Sequence, residues 1–163
     1  MDVAAEFLSY SDRKLGQLVQ TVTQCLQRLD DQQMWQRGGP HENTIGNLIL
    51  HLCGNMRQWI MHGVGGAPDV RTRDAEFEAE GILNRDGLVQ LFAQTVSEAR
   101  SVIATLPHEQ LMQLTDPQKN GAVTVLEAIA KVVGHVQEHT GQIILLTKQM
   151  TGRDLDLTIP RRR

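Results

Sequence analysis

A chain of 163 residues and 18.2 kDa is one domain's worth of sequence, expected to fold as a single unit over 1–163 and to bury roughly 70% of the surface its unfolded form exposes. With 40% hydrophobic residues, 21% charged residues and 5 prolines, it is not a collagen-like, disordered or disulfide-stapled chain. A formal charge of −3 gives no basic field for nucleic acid or an anionic membrane surface; the arginine triplet Arg161-Arg162-Arg163 is too short to bind nucleic acid by itself and reads as a disordered end.

Apolar residues recur at intervals of three and four and only 4% of residues are aromatic, so the period is helical almost everywhere. A first helix is expected from about Val3 to Leu29, with Phe7, Leu8, Leu15, Leu18, Val19, Val22, Leu26 and Leu29 as its buried stripe and a turn at Asp30-Asp31. A second begins after Asn43 as N-cap and aligns Ile45, Leu48, Ile49, Leu52, Cys53, Met56, Trp59 and Ile60 before Gly63. Asn47, His51, Asn55 and Arg57 interrupt this most apolar helix, so it does not read as a membrane span. The N-terminus lacks the basic region and continuous apolar stretch of a secretion signal. Cys25 and Cys53 fall at apolar helical positions, and two buried thiols fit a reducing cytoplasm.

The stretch from Gly63 to Arg85 is too long for a turn between antiparallel neighbours and implies an overhand crossing. Its Arg71, Arg73, Asp74 and Glu76 read as surface ion pairs pinning an exposed loop, each worth little. The alternative is an arginine that reaches over a site to hold a carboxylate. A third helix runs from the Asn84 cap to Leu106, stopped by Pro107. A fourth starts at the capping box Thr124-Val125-Leu126-Glu127 and ends at Gly152. The fold class is therefore all-α, a four-helix bundle with a long crossover between helices 2 and 3.

His135 and His139 lie four apart on the fourth helix, a spacing that lets one helix supply two ligands to one metal. By themselves such histidines read as ordinary solvent-facing residues. A third candidate, His51, stands on a stripe of Thr44, Asn47, His51, Asn55, Gln58 and His62 beside the apolar face of the second helix. That stripe contains no Lys, Asp or Glu, and its amides suit hydrogen bonding to a metal ligand; a solvated flank with one histidine is the alternative. Gln142 follows His139 by three positions on the same side. Three neutral imidazoles would leave coordination positions open, the condition for a catalytic metal site. His62 and His41 are not expected to join them. His62 lies about 16 Å along the axis from His51 at about 1.5 Å per residue, and His41 precedes the helix.

The run Asn47-Leu48-Ile49-Leu50-His51-Leu52-Cys53-Gly54-Asn55-Met56-Arg57-Gln58-Trp59-Ile60, the loop Arg71-Thr72-Arg73-Asp74-Ala75-Glu76-Phe77 and the run His135-Val136-Gln137-Glu138-His139-Thr140-Gly141-Gln142-Ile143 resemble a DinB-like protein, of an uncharacterised bacterial branch of the DinB/YfiT superfamily. The resemblance extends from about Phe7 to Gly152. It implies a divalent metal ion held by His51 from helix 2 and by His135 and His139 from helix 4. Zinc and nickel both suit three imidazoles. It further implies a low-molecular-weight thiol activated for reaction with a small-molecule substrate, and a homodimer, for which Leu50, Val89 and Leu145 are outer apolar positions to cover. Thr158-Ile159-Pro160 and the arginine triplet match no pattern of that family.

The leading function on this reading is a metal-dependent thiol (S-)transferase, in which a Lewis acid lowers the thiol pKa. Such an enzyme needs no nucleophile of its own, in keeping with the lack of a Ser, Cys or Lys constellation. Cys53 reads as core, because Ile49, Met56 and Ile60 around it offer no cation. Two other functions stay open: a non-catalytic dimeric bundle with a structural or vestigial histidine cluster, and a metal-dependent hydrolase, which would need a carboxylate base. His135 to His139 also fits the H-x-x-E-H pattern of some zinc peptidases, but Glu138 points about 100° around the helix from His139 and reads as solvated. Trp35 and Trp59 read as packing anchors.

Overall fold

The computed structural model describes residues 2–157, so the expectations for Thr158-Ile159-Pro160 and the arginine triplet lie outside the described residues. The long helices are α1 (Val3–Leu26), α3 (Ile45–Met56, continued by a π-helical segment Arg57–His62), α5 (Arg85–Ala104) and α6 (Val125–Thr151), with short helices α2 (Asp31–Met34) and α4 (Arg73–Glu78) between them. A 3-10 turn at His108–Met112 leads to an antiparallel pair, β1 (Leu114–Thr115) and β2 (Val123–Thr124), with Leu114 opposite Thr124.

Each of α1 and α3 packs against both α5 and α6, which closes the four-helix bundle, and α4 lies against α3. The core fills the space between the four long helices. Leu15, Val22, Leu26, Ile49, Leu52, Phe92, Ile129, Val136 and Ile143 are fully enclosed there, each large side chain contributing roughly 1.5–3 kcal/mol over exposure. No helix among the described residues is long and apolar enough to cross a membrane.

Local chemistry sets the ends, with four departures from the sequence reading. The first helix stops at Leu26, where Arg28 N–H and Leu29 N–H turn back only three residues, to Cys25 O and Leu26 O, and Asp30 then caps α2 through a capping box with Gln33. Thr44, not Asn43, caps α3: its hydroxyl accepts from Asn47 N while Asn47 Oδ1 accepts from Thr44 N. Beyond Met56 the helix widens, with Gly63 N–H and Gly65 N–H reaching back five residues to Gln58 O and Ile60 O. The Asn84 cap forms as expected; at Thr124 only half of the expected box forms, the hydroxyl accepting from Glu127 N while the Glu127 carboxylate pairs with Lys131, and α6 ends on Gly152 with φ +63, a left-handed position suited to glycine.

The long crossing is anchored at two points. Trp35 lies against Gly46, where any Cβ would come within 2.8 Å of the ring, and its Nε1–H donates to Leu83 O at 2.8 Å. Asn47 Nδ2 donates to Glu76 O at 3.0 Å and Ala79 O at 2.9 Å. A buried amide on α3 thereby fixes the backbone of α4 and aims its one buried acidic side chain at the next turn of α3.

Candidate functional site

His51 projects from the middle of α3 and is only 7% exposed, while His135 and His139 stand half-buried on α6. One nitrogen from each ring lies within 4.8 Å of the others, and His51 Nε2 and His135 Nε2 approach to 2.9 Å. The rings meet nearly edge to face, with interplanar angles of 78°, 83° and 84°. Two nitrogens bound to one ion at about 2.0–2.1 Å sit roughly 3 Å apart or slightly more, so this spacing suits a shared cation.

Hydrogen bonding on the outer edges decides which nitrogens face inward. His51 Nδ1 is 3.0 Å from Glu76 Oε2, so Nδ1 carries the proton, donates it to the carboxylate, and leaves the Nε2 lone pair free. Arg71 then holds Glu76 with two bonds, Nε to Oε1 at 2.7 Å and a terminal nitrogen to Oε2 at 2.9 Å. The other terminal nitrogen of Arg71 donates to Gln58 Oε1 at 3.0 Å. Burial alone would raise the Glu76 pKa; the bonds from Arg71 and His51 outweigh it and hold the carboxyl below its ordinary value, ionised at neutral pH. Phe77 covers the His51 ring at a centroid distance of 4.8 Å.

This arrangement corrects the reading of Arg71 and Glu76 as surface ion pairs. Their side chains are 4% and 9% exposed, because Asn47 draws α4 onto α3 and Gly54 leaves room for the carboxylate. Arg71 is also not a free clamp for a substrate carboxylate, since its side chain is buried and already bonded to Glu76 and Gln58. Arg73 instead lies exposed over the Phe77 ring at 5.0 Å. The sequence held one signal for Glu76: Gly54 stands inside a helix, where glycine is unfavourable unless something must approach closely, and a Cβ there would collide with Glu76 Oε1. Nothing in the linear spacing pairs position 54 with position 76.

On α6, His139 Nδ1–H donates to Gln142 Oε1 at 2.7 Å and so leaves its Nε2 lone pair available. Burial, with the neighbouring His139, His51 and Arg71, depresses the His135 pKa to about 4, so this imidazole is neutral well below pH 7. Nitrogens of all three rings therefore converge, those of His51 and His139 with the lone pair turned inward, and the donor set fits a divalent ion. His62 turns its Nδ1 to Ala67 O at 2.6 Å, and His41 is exposed; neither belongs to the cluster. Glu138 is exposed and also stands outside it. Cys53 is buried, and desolvation pushes its thiol up to about 11, which makes it inert near neutral pH.

A family model described as "Protein of unknown function (DUF1572)" matches residues 2–163. No curated protein matches the sequence. Among solved structures, a conserved protein from Enterococcus faecalis is similar at 15% identity and a TM-score of 0.73, covering 94% of this chain and 99% of that one. A DinB-like protein from Bacillus subtilis is similar at 13% identity and a TM-score of 0.70, covering 92% and 96%. A mutant of a mycothiol-dependent maleylpyruvate isomerase is similar at 14% identity and a TM-score of 0.68, covering 88% of this chain and 63% of that one. At these identities the likeness establishes a common DinB-like, all-α fold.

Proposed function

The chain belongs to the DUF1572 family of DinB-like proteins, and from that premise we propose that His51, His135 and His139 hold one divalent metal ion, zinc or nickel, at which a small thiol is activated for transfer to, or isomerisation of, a small-molecule substrate. The observation that carries this reading is the set of outer hydrogen bonds. Glu76 and Gln142 accept hydrogen bonds from Nδ1–H of His51 and His139, so both rings turn their Nε2 lone pairs toward the shared centre, the orientation that metal-ligating histidines adopt.

When bound, such an ion supplies Lewis acidity that lowers the pKa of a coordinated thiol. The protein's own part is positioning. Arg71 fixes Glu76, Glu76 fixes the tautomer and plane of His51, and Phe77 keeps water from one face of that ring. With Cys53 buried and protonated, the chain offers no competing nucleophile at the site. The thiol co-substrate is taken from the mycothiol-dependent protein that shares the fold. A cytoplasmic home suits such a thiol and the two free cysteines. A second copy of the chain would cover Leu145, which is 56% exposed.

The test uses zinc-loaded protein, L-cysteine and iodoacetamide. Thiol should be consumed faster than with metal-free protein or with the triple variant His51→Ala, His135→Ala, His139→Ala. Equal rates with and without bound metal would overturn the thiol reading.

A further inference from the structure

Leu50, Gly54 and Arg57 stand at i, i+4 and i+7 on one stripe of α3. They line a cleft of about 270 Å³ that is bounded as well by Leu91 of α5 and by Val70 and Ile82 of the crossing. That volume lies near the lower end of small-molecule sites. Val70 is 80% exposed and Ile82 60%, while Leu50 and Leu91 are half-buried behind them. A single bare aliphatic side chain is ordinary on a protein surface; four around one concavity make an apolar wall that a ligand can cover.

Four charged side chains share the lining, and three of them are already committed. Arg71 and Glu76 pair with each other at 2.7 Å. Asp69 accepts from Arg71 N at 3.1 Å on one oxygen and from Gln58 Nε2 at 3.0 Å on the other. Glu98, on α5, accepts from Gln94 and is not part of the lining. Arg57 is exposed and has no hydrogen bond or ion pair among the described residues, so its guanidinium is the one charged group of the cleft left free to meet a ligand. From Leu50 to Arg57 is seven residues, about 10 Å along the helix at about 1.5 Å per residue, with an apolar end and a cationic end.

We propose that this cleft binds a medium-chain aliphatic carboxylate, its hydrocarbon tail along Leu50, Leu91, Val70 and Ile82 and its carboxylate on Arg57. The planar guanidinium matches two carboxylate oxygens at once. No aromatic ring lines the cleft, so it offers a flat ligand no stacking partner and suits a flexible chain that follows the groove. No histidine lines it either, and the site is complete without a metal. Glu76 belongs both to the cleft wall and to the support of His51, which places the ligand on the outer side of that brace.

Calorimetry with octanoate, octan-1-ol and butanoate tests it, with metal content and helical circular dichroism measured in every preparation. Octanoate should bind once per chain, to zinc-loaded and metal-free protein alike, and butanoate, with less hydrocarbon to bury, at least roughly tenfold more weakly. Arg57→Met should weaken octanoate about fivefold and leave octan-1-ol unchanged. Ala75→Leu, at an exposed position of α4 on the cleft lining, should keep the fold and abolish saturable binding of both eight-carbon probes, because leucine fills their space. Equal octanoate affinity in natural and Arg57→Met protein, or undiminished binding by folded Ala75→Leu, would overturn the site and leave the metal reading standing. Octanoate binding that appears only with zinc would overturn it too, since the ligand would then sit at the metal. A dimer, by light scattering, that Val70→Asp splits and octanoate does not would give this face to a second copy of the chain and overturn it as well.

Discussion

The two helices that meet at the histidine cluster hold their rings in opposite ways. On α3, His51 is gripped through contacts remote in sequence: Glu76 lies 25 residues on and pairs with Arg71 beneath the surface, and the half-buried Gln58 braces Arg71 from behind. On α6, His139 leans on Gln142 one turn away on its own helix, in an exposed contact, and His135 has no hydrogen bond other than that with His51 among the described residues. His51 is therefore fixed by tertiary structure and His139 by the helix that bears it, while His135 leans on His51 across the bundle. The buried side sets the geometry, and the α6 side borders an open cleft.

The largest contrast should come from removing the two outer acceptors. Glu76→Ala strands the Arg71 guanidinium without its counter-charge, so urea unfolding should show a loss of about 3–5 kcal/mol, and zinc competition should show affinity down roughly 10–100-fold. Gln142→Ala should cost less than about 1 kcal/mol, because an exposed neutral contact is lost to water. Equal effects from the two would break the comparison. Gly54→Ala sharpens it: alanine favours a helix by about 1 kcal/mol, yet its methyl would collide with Glu76, so both stability and zinc affinity should fall. A gain in stability would mean that Glu76 can move aside freely.

Metal-free protein offers a pH test of the α6 side. The His135 pKa is lowered from 6.5 to about 4, so between these values the unfolded chain takes up a proton that the folded chain refuses. Stability should therefore fall as pH drops from 6.5 towards 4, and His135→Leu should flatten that part of the melting profile. Smallest of all, His62→Ala and His41→Ala should leave zinc affinity unchanged, since neither ring joins the cluster.

The four long helices were legible because their apolar residues repeat at helical spacing and their caps, Asn84, Thr124 and Gly152, are local signals. The histidine set was legible for two reasons: His135 and His139 share a helix face, and the amide-rich stripe singled out His51. Of that stripe, Asn47 proved to anchor α4 and Gln58 to brace Arg71. The Glu76–Arg71 brace was misread because burial of a loop charge depends on where α4 docks, which no periodicity encodes. The π-helical end of α3 was likewise hidden, since it depends on backbone bonds to Gly63 and Gly65 that follow an otherwise ordinary apolar pattern.

The central claim is that the three imidazoles form one metal site, and elemental analysis of natively purified protein tests it most directly. The account predicts close to one zinc or nickel per chain, lost in the triple variant His51→Ala, His135→Ala, His139→Ala while its helical circular dichroism is kept. No stoichiometric metal in the natural sequence, or undiminished metal in the folded triple variant, would contradict it.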